Sequence, residues 1–166
     1  MLFSRVDPLD APANRATALA ALPLSALMEH DPLVLVRLRL AQAGGAIVDE
    51  NFYWRGRDAA AYRSLGNMPE SVLQLRVSGP DAVGDEQQLV VDLRNECATP
   101  ALNAKLTLED AQGARVLPAY YSDNYVSLLP GETRRISVRI PRHASVAAVS
   151  LRGWNVQAAR AAIAAH

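Results

Sequence analysis

The chain of 166 residues contains a single cysteine, Cys97. An internal disulfide is therefore excluded, and so is a zinc site built on several thiolates. The three histidines, His30, His143 and His166, are scattered, and no two share a metal-ligand spacing. Seventeen basic residues balance seventeen acidic ones, and no basic stripe interleaves with aromatics. That balance argues against a nucleic-acid partner. No apolar run approaches the roughly 20 residues of a membrane helix. The start, "MLFSRVDPLDAPANR", lacks a charged region followed by an apolar one and does not read as a signal peptide. The compartment stays open: cytoplasm suits a chain without disulfides, and so does the periplasm or the exterior as part of a larger protein. No G-x-S-x-G, P-loop or Rossmann fingerprint is present, so no catalytic, cofactor-binding or metal-binding residue is expected from motifs.

What the chain does contain is apolar residues, half of the total, arranged mostly at the strand period of two. Leu73, Leu75 and Val77 alternate with polar neighbours, as do Leu89, Val91 and Leu93. Leu106 and Leu108 follow, then Ile136, Val138 and Ile140 between Arg135, Ser137 and Arg139, and finally Val149 and Leu151. Turn chemistry separates the runs: "SGPDAVGDE", "NECATP", "EDAQGA" and "LPGE". In the last of these, Pro130 presets φ and Gly131 can take a positive φ, which suits a type II turn. The pattern predicts an all-β chain, with about seven strands forming an immunoglobulin-like antiparallel β-sandwich over residues 71–156.

Two pieces stand outside this pattern. Residues 56–70 read as a linker with a short helix, for which Asp58 is the candidate N-cap. The alanine-rich tail, residues 157–166, places Val156, Ala159, Arg160 and Ile163 on one helical face and predicts a short C-terminal helix, marginal by itself. Residues 1–55 hold enough chain for about three strands, an incomplete module; "ATALAALPLSALMEHDP" within them suits strand or helix.

An internal similarity joins the two parts. "PLVLVRLRLAQAGGAIVDENFY" from Pro32 aligns without a gap on "PALNAKLTLEDAQGARVLPAYY" from Pro100. Leu38/Leu106, Leu40/Leu108, Gly45/Gly113, Ala46/Ala114, Val48/Val116 and Tyr53/Tyr121 are among the identities. Two readings stand: convergence of two glycine-turn hairpins, or two successive sandwich modules, the first represented only by its trailing strands.

The stretch "YYSDNYVSLLPGETRRISV", Tyr120 to Val138, is the densest in features that could carry function. Ser122, Asp123 and Asn124 are turn formers whose side chains bond nearby backbone N–H groups. They predict a turn between a strand over 116–120 and a short strand over 125–128, with Asp123 holding the turn. Tyr120, Tyr121, Tyr125 and Trp154 are candidates for plugging the core or a seam between domains, or for contact with an oligosaccharide, and the group Phe52, Tyr53 and Trp54 shares that choice. Glycosidase chemistry would need two converging carboxylates. Asp49/Glu50, Asp85/Glu86 and Glu109/Asp110 are adjacent in sequence, so on a strand they point to opposite faces, and with Asp123 they read as solvated turn residues. Cys97 reads as a small, half-buried residue.

"ENFYW" after a glycine hairpin, then "AYRSLGNMP", "VLPAYYSDNYVSLLPGETRRISV" and "LRGWNV" together resemble the C-terminal region of family 2 glycoside hydrolases, most closely the exo-β-glucosaminidase and β-mannosidase branch. The resemblance covers roughly Pro32 to Val156 and fades over the first thirty residues. It implies that immunoglobulin-like domains here follow a jelly-roll domain, an immunoglobulin-like domain and a catalytic barrel in a longer chain. The family's two catalytic glutamates lie on that barrel, so none carries over to this sequence. The implied partners are the barrel and the preceding immunoglobulin-like domain. Three roles follow for the chain: a non-catalytic module bracing the barrel, a carbohydrate-binding module using surface aromatics with weak oligosaccharide contact, or an independent interaction module with a free sheet edge.

Overall fold

A computed structural model describes residues 3–10 and 12–163. The chain divides into two compact units between Asn67 and Met68. No helix among the described residues is long and apolar enough to cross a membrane.

The first unit is a short helix, α1 (Leu24–His30), an antiparallel hairpin of β1 (Leu33–Ala41) and β2 (Ile47–Gly56), and a second helix, α2 (Ala59–Arg63). Two strands form where about three were expected, because much of the early chain has no regular structure and α1 takes up Leu24–His30. Gly45 closes the hairpin at φ 86°. The register sets Leu38 opposite Asn51 and Leu35 opposite Trp54. The Arg39 guanidinium donates to Glu50 at 2.6 Å on one face, while Leu38, Leu40, Ile47 and Val48 remain exposed. Asp58 caps α2: its backbone is extended and its Oδ1 accepts the Ala61 N–H at 2.9 Å.

The second unit is an antiparallel sandwich. One sheet runs β3 (Leu73–Val83), β4 (Glu86–Asn95), β8 (Thr133–Pro141) and β6 (Tyr120–Tyr121). The other runs β10 (Ala159–Ala162), β9 (Ala148–Arg152), β5 (Ala101–Glu109) and β7 (Val126–Leu128). The alternating apolar residues face inward as their period requires. Leu89, Val91, Leu93, Ile136, Val138 and Ile140 from one sheet meet Leu106, Leu108, Val149 and Leu151 from the other. Each leucine so buried contributes about 1.5–3 kcal/mol from surface removed from water.

Two expectations are corrected. The tail is not helical: Ala159–Ala162 form strand β10 against β9, and the Ile163 N–H continues the ladder to the Ala147 carbonyl at 2.9 Å. Residues 164–166 of the expected helix lie outside the described residues. Alanine favours helix, but a helix this short gains little alone, whereas the open edge of β9 offers partners at once. Ala159 and Ile163 then lie against the core. The strand expected over 116–120 is also absent as such. Arg115 makes one bridge to Glu109, the chain turns through a cis Leu117–Pro118 bond, and pairing resumes at Tyr120.

The ends of the sandwich are closed by buried amides. Asn155 accepts the Leu102 N–H on Oδ1 at 2.9 Å and donates from Nδ2 to the Pro69 and Pro100 carbonyls. Asn95 donates to the carbonyls of Thr99 and Leu128, both at 3.0 Å, and accepts the Cys97 N–H. The Ser71 hydroxyl donates toward Thr99 and Pro100. Each bond satisfies a main-chain group where the chain leaves one sheet for the other. Asn155→Ala should therefore destabilise the chain by about 3 kcal/mol, the cost of buried groups left unpaired. Urea unfolding followed by circular dichroism measures it; a loss below about 1 kcal/mol would contradict this role.

Candidate functional site

Strand β5 carries the site because its outward residues fall between buried leucines. Lys105, Thr107 and Glu109 alternate with Leu106 and Leu108 and face away from the core. The register sets Lys105 opposite Arg152 and Thr107 opposite Ser150 on β9. Arg115 joins through its bridge to Glu109. These residues line an open cavity of about 210 Å³. A second cavity of about 160 Å³ adjoins it, sharing Lys105, Thr107 and Arg115 and reaching Tyr121, Asn124 and Tyr125.

Asn124 fixes the aromatic end. Its Oδ1 accepts the Leu106 N–H at 2.8 Å and its Nδ2 donates to the Leu106 carbonyl at 3.1 Å, so one side chain pairs with β5 as a strand residue would. The same Oδ1 accepts the Tyr125 N–H at 3.0 Å, which holds Tyr125 at φ 58°. That positive φ turns the Tyr125 ring outward, 58% exposed, with the Lys105 ammonium 5.5 Å from its centroid. Tyr121 points inward, and its hydroxyl accepts the Leu108 N–H at 3.1 Å. Burial raises the Tyr121 phenol above its ordinary value, against smaller lowering by the Leu108 N–H and Arg115.

The other sequence-predicted residues are dispersed. Tyr120 is exposed on the opposite sheet, paired with Arg139. The Trp154 side chain is exposed beyond β9, while its main-chain N–H bonds the Leu102 carbonyl at 2.8 Å. Ser122 accepts the Ser137 N–H at 3.0 Å on its hydroxyl. Pro130 and Gly131 make the expected turn: Gly131 has φ 81°, the Glu132 N–H bonds the Leu129 carbonyl, and the Gly131 N–H bonds the Asn95 carbonyl. Asp123 does not hold its turn. Among the described residues it accepts no backbone hydrogen bond, and its contact is an ion pair with Arg134 at 4.0 Å. The bonding falls to Asn124 because an amide both donates and accepts, whereas a carboxylate could only accept from β5.

Several of the candidate carboxylates, Glu50, Glu86, Glu109 and Asp110, are engaged by cations or turns. Glu50 meets Arg39, and Glu86 meets Arg139 at 3.1 Å. Asp110 accepts the N–H groups of Gln112 and Ala114. Glu109 accepts from Arg160 at 2.9 Å, and the Ser150 hydroxyl with that guanidinium holds its carboxyl below the ordinary range. No group of three or more His, Cys, Asp or Glu placed to hold a metal ion occurs among the described residues. The arrangement offers cations, hydroxyls and aromatic faces, groups that can hold a ligand. Sequence reasoning passed over Lys105, Arg115, Thr107, Ser150 and Arg152. The signal was the polar half of the alternation in "KLTLED" and "VSLRG".

A family model described as the exo-beta-D-glucosaminidase Ig-fold domain matches residues 51–156. An exo-beta-D-glucosaminidase of Streptomyces avermitilis is 29% identical over 147 residues, 73% of this chain and 16% of its own length. A mannosylglycoprotein endo-beta-mannosidase of Lilium longiflorum is 52% identical over 48 residues, 28% of this chain and 5% of its own. The crystal structure of the exo-chitosanase CsxA of Amycolatopsis orientalis superposes with TM-score 0.72 at 22% identity, over 80% of this chain and 18% of that one. This chain therefore spans less than a fifth of each of these proteins.

Replacing Asn124 by alanine should cost about 2 kcal/mol, since it leaves both main-chain groups of Leu106 unpaired. Replacing Asp123 by alanine should change stability by less than about 0.5 kcal/mol, as for an exposed, weakly paired charge. Paired melting curves decide it; equal losses for the two variants would contradict the assignment.

Proposed function

The chain belongs to the exo-beta-D-glucosaminidase Ig-fold domain family, and from that premise we propose that it is a non-catalytic C-terminal domain of a larger family 2 exo-glycosidase, of the exo-β-glucosaminidase or β-mannosidase type. In this reading it braces the catalytic barrel. The observation that carries the reading is the match over residues 51–156 in a chain spanning 16% of its Streptomyces relative. The state of the carboxylates supports it as well. Glu50, Glu86 and Glu109 are each bonded to an arginine, which holds them as ion-pair partners.

The hairpin of the first unit fits the trailing strands of a preceding immunoglobulin-like domain. Its exposed Leu38 and Leu40, two residues apart on β1, share one face, as on a sheet before further strands cover it. Its turn also matches that after β5. Gly45 and Gly113 have φ 86° and 81°, and each N–H bonds the carbonyl three residues back, at Gln42 and Asp110. A second reading, contact with carbohydrate, is favoured by the exposed rings of Tyr125 and Trp154.

Immunoblotting of native extracts with antibodies raised against this chain tests the main reading. A polypeptide several times heavier than 17.9 kDa should be detected, co-fractionating with hydrolysis of an aryl β-glucosaminide or β-mannoside. Detection of the 17.9 kDa species alone, with no hydrolase activity in its fractions, would refute it.

A further inference from the structure

On the outward face of the β10-β9-β5-β7 sheet, charge is placed against its own interest. Lys105 and Arg152 are direct register partners, and like charges directly opposite one another destabilise a strand pair. Arg115 lines the same cavity. Among the described residues none of these three takes part in an ion pair. The one carboxylate lining the cavity, Glu109, is hydrogen-bonded to Arg160 at 2.9 Å and only more weakly attracted by Arg152. Three cations therefore surround a recess of about 210 Å³ that also presents the hydroxyl residue Thr107, while the Ser150 hydroxyl is already directed at its neighbours. An oxyanion there would meet charge-assisted hydrogen bonds and relieve the cross-strand repulsion.

The recess also has a direction. Through Lys105, Thr107 and Arg115 it continues into the cavity of about 160 Å³ that reaches Tyr125. That ring is exposed, and Asn124, itself bonded to β5 at Leu106, holds its main-chain N–H. A cationic, hydroxyl-bearing end next to a fixed aromatic face suits a ligand with an acidic substituent and a sugar ring.

We propose that this groove binds an acidic saccharide, with its sulfate or carboxylate at Lys105, Arg115 and Arg152 and a sugar ring against Tyr125. The proposal rests on the carbohydrate-contact reading and narrows it, since a glucosamine oligomer, cationic at neutral pH, would be repelled by the same three side chains.

Amide NMR of the full chain tests it, with four probes: a chondroitin-type sulfated disaccharide, a glucosamine disaccharide, inorganic sulfate and a hexaglutamate peptide. The sulfated disaccharide should shift the signals of Thr107, Arg152 and Tyr125 saturably. Its Kd should rise at least tenfold in Arg115→Gln and in Arg152→Gln, both exposed positions. Tyr125→Ala should weaken the disaccharide but leave inorganic sulfate unchanged. Equal binding of the glucosamine disaccharide would overturn the charge selection while leaving carbohydrate contact standing. Inorganic sulfate binding as tightly as the disaccharide would reduce the site to an adventitious ion only. Binding of hexaglutamate in place of the saccharide would make the face a protein-docking surface, and the absence of shifts with every probe would refute the site and the carbohydrate reading together.

Discussion

Backbone groups at the ends of a sandwich have no ladder to complete them, and here three side chains complete them instead. The turns around Pro100 and Asn155 carry carbonyls and N–H groups that burial would otherwise leave unpaired. Asn155, Asn95 and Ser71 are themselves buried and supply the missing partners. With no disulfide available across the sheets, this polar seam and the leucine-rich core carry the fold together. The position of β5 depends on it. Asn155 holds Leu102 at one end of β5, and Asn124 holds Leu106 further along.

Between those two anchors the strand is irregular. The β5–β7 register shifts between Ala101 and Ala104, and Asn103 sits at φ 51° with its N–H on the Ser127 hydroxyl at 3.2 Å. A bulge of this kind re-aims the residues beyond it. Beyond it, Lys105 faces Arg152 and Thr107 faces Ser150. Electrostatics on the two outer faces differ accordingly. The β3-β4-β8-β6 face sets Asp92 against Arg135 and Glu86 against Arg139, whereas the β5–β9 face gathers cations around a single committed carboxylate. Scaffold and surface chemistry are thus linked through one strand.

The long strands were readable because burial on one face imposes a period of two on residues such as Leu89–Leu93 and Ile136–Ile140. The cap of α2 by Asp58 and the turn at Pro130–Gly131 were readable because each rests on local chemistry. The tail was not: Ala159–Ala162 has helical composition, and only the free edge of β9, distant in sequence, makes it a strand. Asn124 and Asp123 are equivalent to a reader of turn propensities. What separates them is a partner at Leu106, eighteen residues away. The cationic groove was invisible for the same reason, since Arg115 and Arg152 meet Lys105 only once the register is set.

If the polar seam is what the sandwich depends on, the ends of its strands must be as hard to open as their centres. Native-state amide hydrogen exchange measures this directly. The N–H of Leu102, bonded to the Asn155 side chain, and that of Ser71, bonded to the Asn155 main-chain carbonyl, should exchange only with global unfolding, at the same free energy as Val91 and Val138 in the central strands. Exchange of Leu102 and Ser71 through local opening, with Val91 and Val138 still protected, would contradict it.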